Sequence, residues 1–100
     1  MKILAIEKEL PGVGAERLQP LLKPEARKAW ELYQAGVLRE LYFDSDRHTA
    51  VLVLECRDVA EARQVLNRLP LVENGLIEFE IIPLVPYPGF ERLFASPEEG

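Results

Sequence analysis

A few side chains in this sequence could move a proton, and little else in it suggests chemistry of another kind. Glu80 sits in the run Leu76-Ile77-Glu78-Phe79-Glu80-Ile81-Ile82, and a half-buried carboxylate among apolar neighbours suits general acid or base work. Glu7 closes an apolar N-terminal run beside a long Pro/Gly-rich segment and is a second candidate. His48 is the sole histidine, and imidazole is the side chain whose ordinary titration spans neutral pH. Arg39 lies among apolar strand residues, where its planar cation could hold a substrate carboxylate. Tyr42 and Tyr33 could turn their hydroxyls into a pocket.

Each candidate also has an ordinary structural reading. Arg39 could pair with a strand carboxylate such as Glu55 or with a partner subunit. Glu80, with Glu78, could stand on a wet rim, and His48 could be an exposed residue after a turn. Tyr33 and Trp30 fit the buried stripe of a helix, while Asp44 and Asp46 are turn formers. The sequence carries no nucleophile motif and no phosphate loop. A single Cys and a single His exclude an internal disulfide and leave no Cys/His metal spacing. Neither a metal nor an organic cofactor is expected, and Cys56 reads as a small buried hydrophobe.

The elements that must position these groups follow from patterning. One hundred residues make one domain, 1–100. A chain of this size buries roughly 60–65% of its unfolded surface and gains from a partner. The net charge of −5 and the absence of any Lys/Arg run argue against nucleic acid. The longest aliphatic stretch, Val51 to Leu54, falls far short of the ~20 residues of a membrane span. The N-terminus becomes charged by Glu7, too soon for a signal peptide, so a cytoplasmic location is the default expectation.

Lys2 to Lys8 reads as a strand. The following stretch, Leu10 to Leu22, reads as a long loop with one helical turn near Ala15 to Leu18. Pro24-Glu25 opens a helix whose apolar stripe is Ala26, Ala29, Trp30 and Tyr33, and Gly36 ends it. Val37 to Phe43 and His48 to Cys56 form a hairpin across Asp44-Ser45-Asp46-Arg47. Asp58 and Glu61 make a capping pair for a second helix, which buries Val59, Ala62, Val65, Leu66 and Leu69 and ends at Pro70. Asn74-Gly75 turns into a last strand, Leu76 to Leu84. The order β-α-β-β-α-β predicts an α+β, ferredoxin-like fold: a four-stranded antiparallel sheet with two helices on one face.

Both faces of that sheet are apolar. Ala50, Leu52 and Leu54 line one side of the third strand, and Thr49, Val51 and Val53 line the other. In the last strand Ile77, Phe79 and Ile81 are assigned to the helices, leaving Leu76, Glu78, Glu80, Ile82 and Leu84 opposite. Two helices cover one face only, so the second is expected to meet a copy of itself, closing an α+β barrel as a homodimer or higher homo-oligomer. The Pro-rich segment 86–100 carries Phe90, Leu93 and Phe94, too apolar for a free tail, and is expected to dock on a partner subunit.

From Glu25 to Leu84 the chain resembles the muconolactone isomerase family, within the dimeric α+β barrels. The resemblance rests on the helix ending in Gly36 and on Arg39, Leu41 and Tyr42 in the next strand. It continues through Leu69-Pro70-Leu71 after the second helix and through Glu78-Phe79-Glu80-Ile81 leading to Leu84. It implies an acid–base isomerase that shifts a proton on a small carboxylated lactone without metal or organic cofactor. In that reading Glu80, Glu7 or His48 transfers the proton, and Arg39, Tyr42 and Tyr33 bind the small organic acid. A non-catalytic ligand-binding or stress-related oligomer of the same fold is the alternative. A haem- or oxygen-using relative is weaker, because His48 is the only imidazole.

Overall fold

In the computed structural model, which describes residues 1–94, strand β1 (Lys2–Glu9) leads into a short helix α1 (Ala15–Leu18) and a 3₁₀ turn. The long helix α2 (Leu22–Gln34) follows, then the hairpin β2 (Leu38–Phe43) and β3 (Ala50–Glu55). Helix α3 (Val59–Leu66), the single turn α4 (Pro70–Glu73) and strand β4 (Ile77–Pro83) complete the domain. The sheet order is β2-β3-β1-β4 with every neighbouring pair antiparallel, which is the expected ferredoxin-like arrangement. Of the Pro-rich segment, residues 95–100 lie outside the described residues.

Register decides which side chains meet the helices. Ile3 and Ala5 of β1 stand level with Leu54 and Leu52 of β3, and Ala5 and Glu7 with Ile81 and Phe79 of β4, on the helix-covered face. Ile3, Ala5 and Leu54 are fully buried there, and α3 adds Ala62, Val65 and Leu66. In β2 the alternation is broken by a bulge. Leu38 pairs with Leu54, yet Leu41 pairs with Leu52, so three residues advance where two would in a regular ladder. Arg39 is the extra residue, and Leu38, Leu41 and Phe43 all fall on the helix side.

Two helix ends feed strands by the same device. Gly36 and Gly75 have φ of +79° and +71°. At the first, Gly36 N–H donates to the Tyr33 carbonyl and Val37 N–H to that of Leu32. At the second, Gly75 N–H donates to Val72 and Leu76 N–H to Leu71. Both are six-residue left-handed caps, in which the residue after the glycine packs back on the helix. At the N-terminal end of α3, Asp58 accepts the Glu61 N–H at 2.8 Å, as the capping pair predicts. Pro70 does not merely stop α3; it occupies the first turn of α4.

Two expectations are corrected. The buried stripe of α2 is not Ala26, Ala29, Trp30 and Tyr33: Trp30 is 57% and Tyr33 54% exposed, their rings stacked on each other outside the core. Leu32 is the buried residue of this helix, and the inward stripe runs Leu22, Glu25, Ala26, Ala29, Leu32. Leu76 likewise does not share the face of Glu78 and Glu80. The left-handed cap swings it inward, where it is buried with Leu71 and Ile77 under Val13, Leu18 and Leu21.

The face away from the helices carries Leu4 and Ile6 of β1, Val51 and Val53 of β3, and Ile82 of β4, which are paired neighbours across the sheet and half-exposed. Beyond β4 the chain forms an arm containing a second 3₁₀ turn, Gly89–Leu93, with Phe90, Leu93 and Phe94 exposed. The radius of gyration is 17.3 Å. A compact domain of this length has one near ~13 Å.

Replacing Gly36 or Gly75 by alanine meets no neighbouring atom, so its cost is confined to the backbone. Each substitution is expected to lose ~1–2 kcal/mol, lowering Tm by about 4–8 °C per kcal/mol. Thermal melts followed by circular dichroism check this, and an unchanged Tm would refute the cap assignment.

Candidate active site

Helix α2 packs over β2 and α4, while α3 packs over β4. Between α2 and the sheet the inward positions of the helix are small or acidic, Glu25, Ala26 and Ala29, rather than large and apolar. A cavity of about 280 Å³ remains, walled by Leu22, Leu38, Leu41, Phe43, Leu52, Leu69 and Phe79 among others. Among the described residues its charged lining consists of Glu7, from the sheet, and Glu25, from the helix.

Each carboxylate is held by one backbone amide. The β1–β3 ladder ends at the pair Ile6–Val51, and the next β3 amide, that of Ala50, donates to Glu7 Oε1 at 2.9 Å. A side chain thus stands in for the missing strand carbonyl. The Leu71 amide, at the start of α4, donates to Glu25 Oε1 at 2.9 Å. Leu69 gives α4 no side-chain cap and Pro70 has no N–H, so Glu25 caps α4 from a different helix. Among the described residues the second oxygen of each carboxylate has no hydrogen-bond partner, and neither atom is buried out of reach of solvent. Both glutamates are anchored through one oxygen and leave the other to the cavity.

Burial pushes the Glu25 carboxyl above its ordinary pKa, the Leu71 amide pulls it down, and the Glu7 charge pushes it up again. Burial is the largest of the three, so Glu25 keeps its proton to higher pH than a solvated glutamate.

The other sequence candidates lie around this cavity or away from it. His48 has φ +57° in the β2–β3 loop, where its N–H donates to the Asp44 carbonyl and Asp44 Oδ1 accepts from Asp46 and Arg47. It lines a crevice of about 270 Å³ that shares Glu7 and Ile77 with the cavity. Arg39, displaced by the bulge, donates from Nε to the Gly36 carbonyl at 2.6 Å and does not line the cavity. Glu55, its possible partner, instead pairs with the N-terminal ammonium. Tyr42 and Glu80 stand on the open face, where Tyr42 donates its hydroxyl to Glu40 at 2.8 Å and Glu80 is cross-strand from Ile6. Tyr33 is on the outer side of α2 against Trp30. Cys56 is buried, with its thiol pKa raised chiefly by that burial. Among the described residues no cluster of His, Cys, Asp and Glu could hold a metal ion, and no helix is long and apolar enough to cross a membrane.

Glu25 was not singled out from the sequence. A charged residue is assigned to solvent by any apolar-stripe reading, and Trp30 and Tyr33 drew the stripe to the wrong side. The available signal was the spacing of Leu22, Ala29 and Leu32, which encloses Glu25 on the same face.

Comparison with known proteins agrees with the architecture. The model of the muconolactone delta-isomerase family matches residues 5–89, a span containing both cavity carboxylates. No curated protein sequence matches the chain significantly. The crystal structure of a muconolactone isomerase is similar with a TM-score of 0.72 at 21% identity, over 88% of this chain and 92% of that one. A 5-chloro-2-hydroxyhydroquinone dehydrochlorinase from Burkholderia phenoliruptrix AC1100, in complex with 2,5-dihydroxybenzoquinone, gives 0.63 at 16% identity, over 89% and 98%. At such identities the two structures share the fold.

Because its folded-state pKa is raised, Glu25 binds its proton more tightly in the folded than in the unfolded chain. Its contribution to stability is therefore present at low pH and lost as pH rises through the folded value. Glu25→Gln is expected to melt higher than wild type at pH 7 and to lose that advantage below the ordinary carboxylate range. Melting curves that differ by a constant amount at every pH would rule out Glu25 as the titrating group.

Proposed function

The chain belongs to the muconolactone delta-isomerase family, and from that premise we propose that it catalyses a cofactor-independent proton shift on a small unsaturated ring, with Glu7 and Glu25 as the acid–base pair. The observation that carries this reading is the facing of two singly anchored carboxylates across one apolar cavity. Two like groups whose environments separate their proton affinities can divide the work of donor and acceptor. Glu25, whose hold on its proton burial strengthens, is the donor of the pair, and Glu7 is the acceptor.

Size and surroundings agree with such a substrate. A cavity of about 280 Å³ is at the small end of ligand sites, which run from ~300 Å³ upward, and takes a single ring with a short substituent. Apolar walls lower the local dielectric, so charge interactions inside are stronger than in bulk water. His48 borders the same carboxylate from the neighbouring crevice and is placed to pass protons between Glu7 and solvent.

The working unit is proposed to be a homodimer or larger assembly. Leu4, Ile6, Val51, Val53 and Ile82 make one apolar surface without a cover in the single chain, and a second copy of the sheet supplies it. Tyr42 and Glu80 then lie at the subunit boundary. The arm carries its own ring pair, Tyr87 and Phe90 edge-to-face at 5.1 Å, and leaves Phe94 87% exposed; docking on the partner buries these rings. Light scattering at micromolar concentration is expected to give a multiple of the chain mass, and a stable single chain would overturn the assembly.

The activity test is double-bond migration and solvent deuterium uptake in γ-substituted butenolides, followed by proton NMR in D₂O. Glu7→Gln and Glu25→Gln, with unaltered circular dichroism, are each expected to slow the reaction ~10²–10⁴-fold. In wild type the rate should fall as pH rises past the raised Glu25 pKa, the donor being lost. A panel of butenolides that raise Tm without exchanging any proton would instead identify a binding protein.

A further inference from the structure

We propose that Arg47, helped by the Thr49 hydroxyl, holds a substrate carboxylate beside Glu7 and so selects acids over neutral rings. The inference rests on the acid–base reading above and adds a specificity-determining pair to that site. Glu7 accepts the Ala50 amide, which points along the plane of the sheet just past the end of the β1–β3 ladder. Its carboxylate therefore stands between the two faces. It lines the α2 cavity, the His48 crevice and a third space. That space is a depression of about 810 Å³ on the open face, bordered by Lys8, Asp44, Asp46, Arg47, Thr49 and Glu80 among others.

Two features fit the depression to an anion. Thr49 is the buried polar residue of the described chain, 8% exposed, and it lines both the crevice and the depression. Among the described residues its hydroxyl has no hydrogen-bond partner, and it is not sealed from solvent. Polar groups in such places are normally bonded, so this donor is free for a ligand. Arg47 forms no ion pair among the described residues, although acidic side chains border the same depression. Asp44 is turned to the Asp46 and Arg47 amides of its own loop. Glu80 is balanced by Lys8, its diagonal neighbour across β1 and β4. A planar guanidinium meets a carboxylate through two parallel N–H donors.

The substrate's own geometry brings its acid there. In a γ-substituted butenolide the acidic proton and the substituent share one ring carbon. With Glu7 at that proton, a carboxymethyl arm ends beside Glu7, and Arg47 offsets the repulsion between the two carboxylates. Ile6 and Val51, also in the depression, belong to the face proposed to meet a second copy. That copy would roof the depression and strengthen the pairing.

The test compares ligands that differ only in charge. Binding of muconolactone and of its methyl ester to the full-length protein is measured by calorimetry at pH 7, alongside their turnover. Wild type is expected to bind the acid at least about tenfold more tightly than the ester. Arg47→Gln should bring that ratio close to one, and Thr49→Val should lower it about fivefold. Equal binding of acid and ester by wild type would overturn the subsite. So would an Arg47→Gln protein that keeps the preference but loses assembly mass in light scattering, which would assign Arg47 to a subunit contact. Preference without turnover would leave the subsite standing and remove the isomerase reading, and turnover without preference would do the reverse. Binding of neither ligand would overturn both.

Discussion

The Ala50 and Leu71 amides are reached by side-chain carboxylates rather than by backbone carbonyls, and much of the site depends on those two bonds. A backbone N–H left without a partner in a half-buried place costs roughly 1–3 kcal/mol. The β1–β3 ladder stops one residue short of Ala50, and α4 starts at a proline after a residue with no capping group. Glu7 and Glu25 make good these two deficits. Each therefore has a structural occupation that fixes its position and leaves one oxygen over. A carboxylate locked by its scaffold needs little further ordering when a ligand arrives. Structural and chemical roles here are two uses of one group.

The same bonds tie the small elements together. Glu25 links the first turn of α2 to the start of α4, and Glu7 links the sheet centre to the hairpin that carries His48. The cavity lies between these links. Its emptiness comes from the helix: with Ala26 and Ala29 facing inward, α2 cannot fill the space above Leu41 and Phe43. Those two residues are exposed although they are on the helix side of the sheet. A larger residue at position 29 would complete a conventional core and remove the pocket.

Most of the architecture was legible in the sequence because local signals agreed with one another. Gly36 and the Asn74-Gly75 pair, the Asp58/Glu61 cap and the period-two runs of β3 and β4 each point to one conformation. The site was less legible, for reasons that are specific. The Arg39 bulge lies in an edge strand with no glycine or proline to announce it, and it separates Arg39 from the residues flanking it. Glu25 breaks the hydrophobic rule by which helix faces are found. Leu76 follows a left-handed cap, and a two-residue period cannot be carried back across a turn. In all three cases the deciding factor is a partner distant in sequence: β3 for the bulge, Leu71 for Glu25, and the α1 region for Leu76.

The bulge has a consequence for how such a pocket can change. Were the same residues of β2 paired without the bulge, plain alternation from Leu38 would place Glu40 and Tyr42 over the helix-side cavity and send Leu41 and Phe43 to the opposite surface. An oily wall would become one bearing a phenol and an acid, with no codon replaced. The oily wall of this pocket thus depends on one extra residue in an outer strand, where the shift in pairing disturbs only one neighbour.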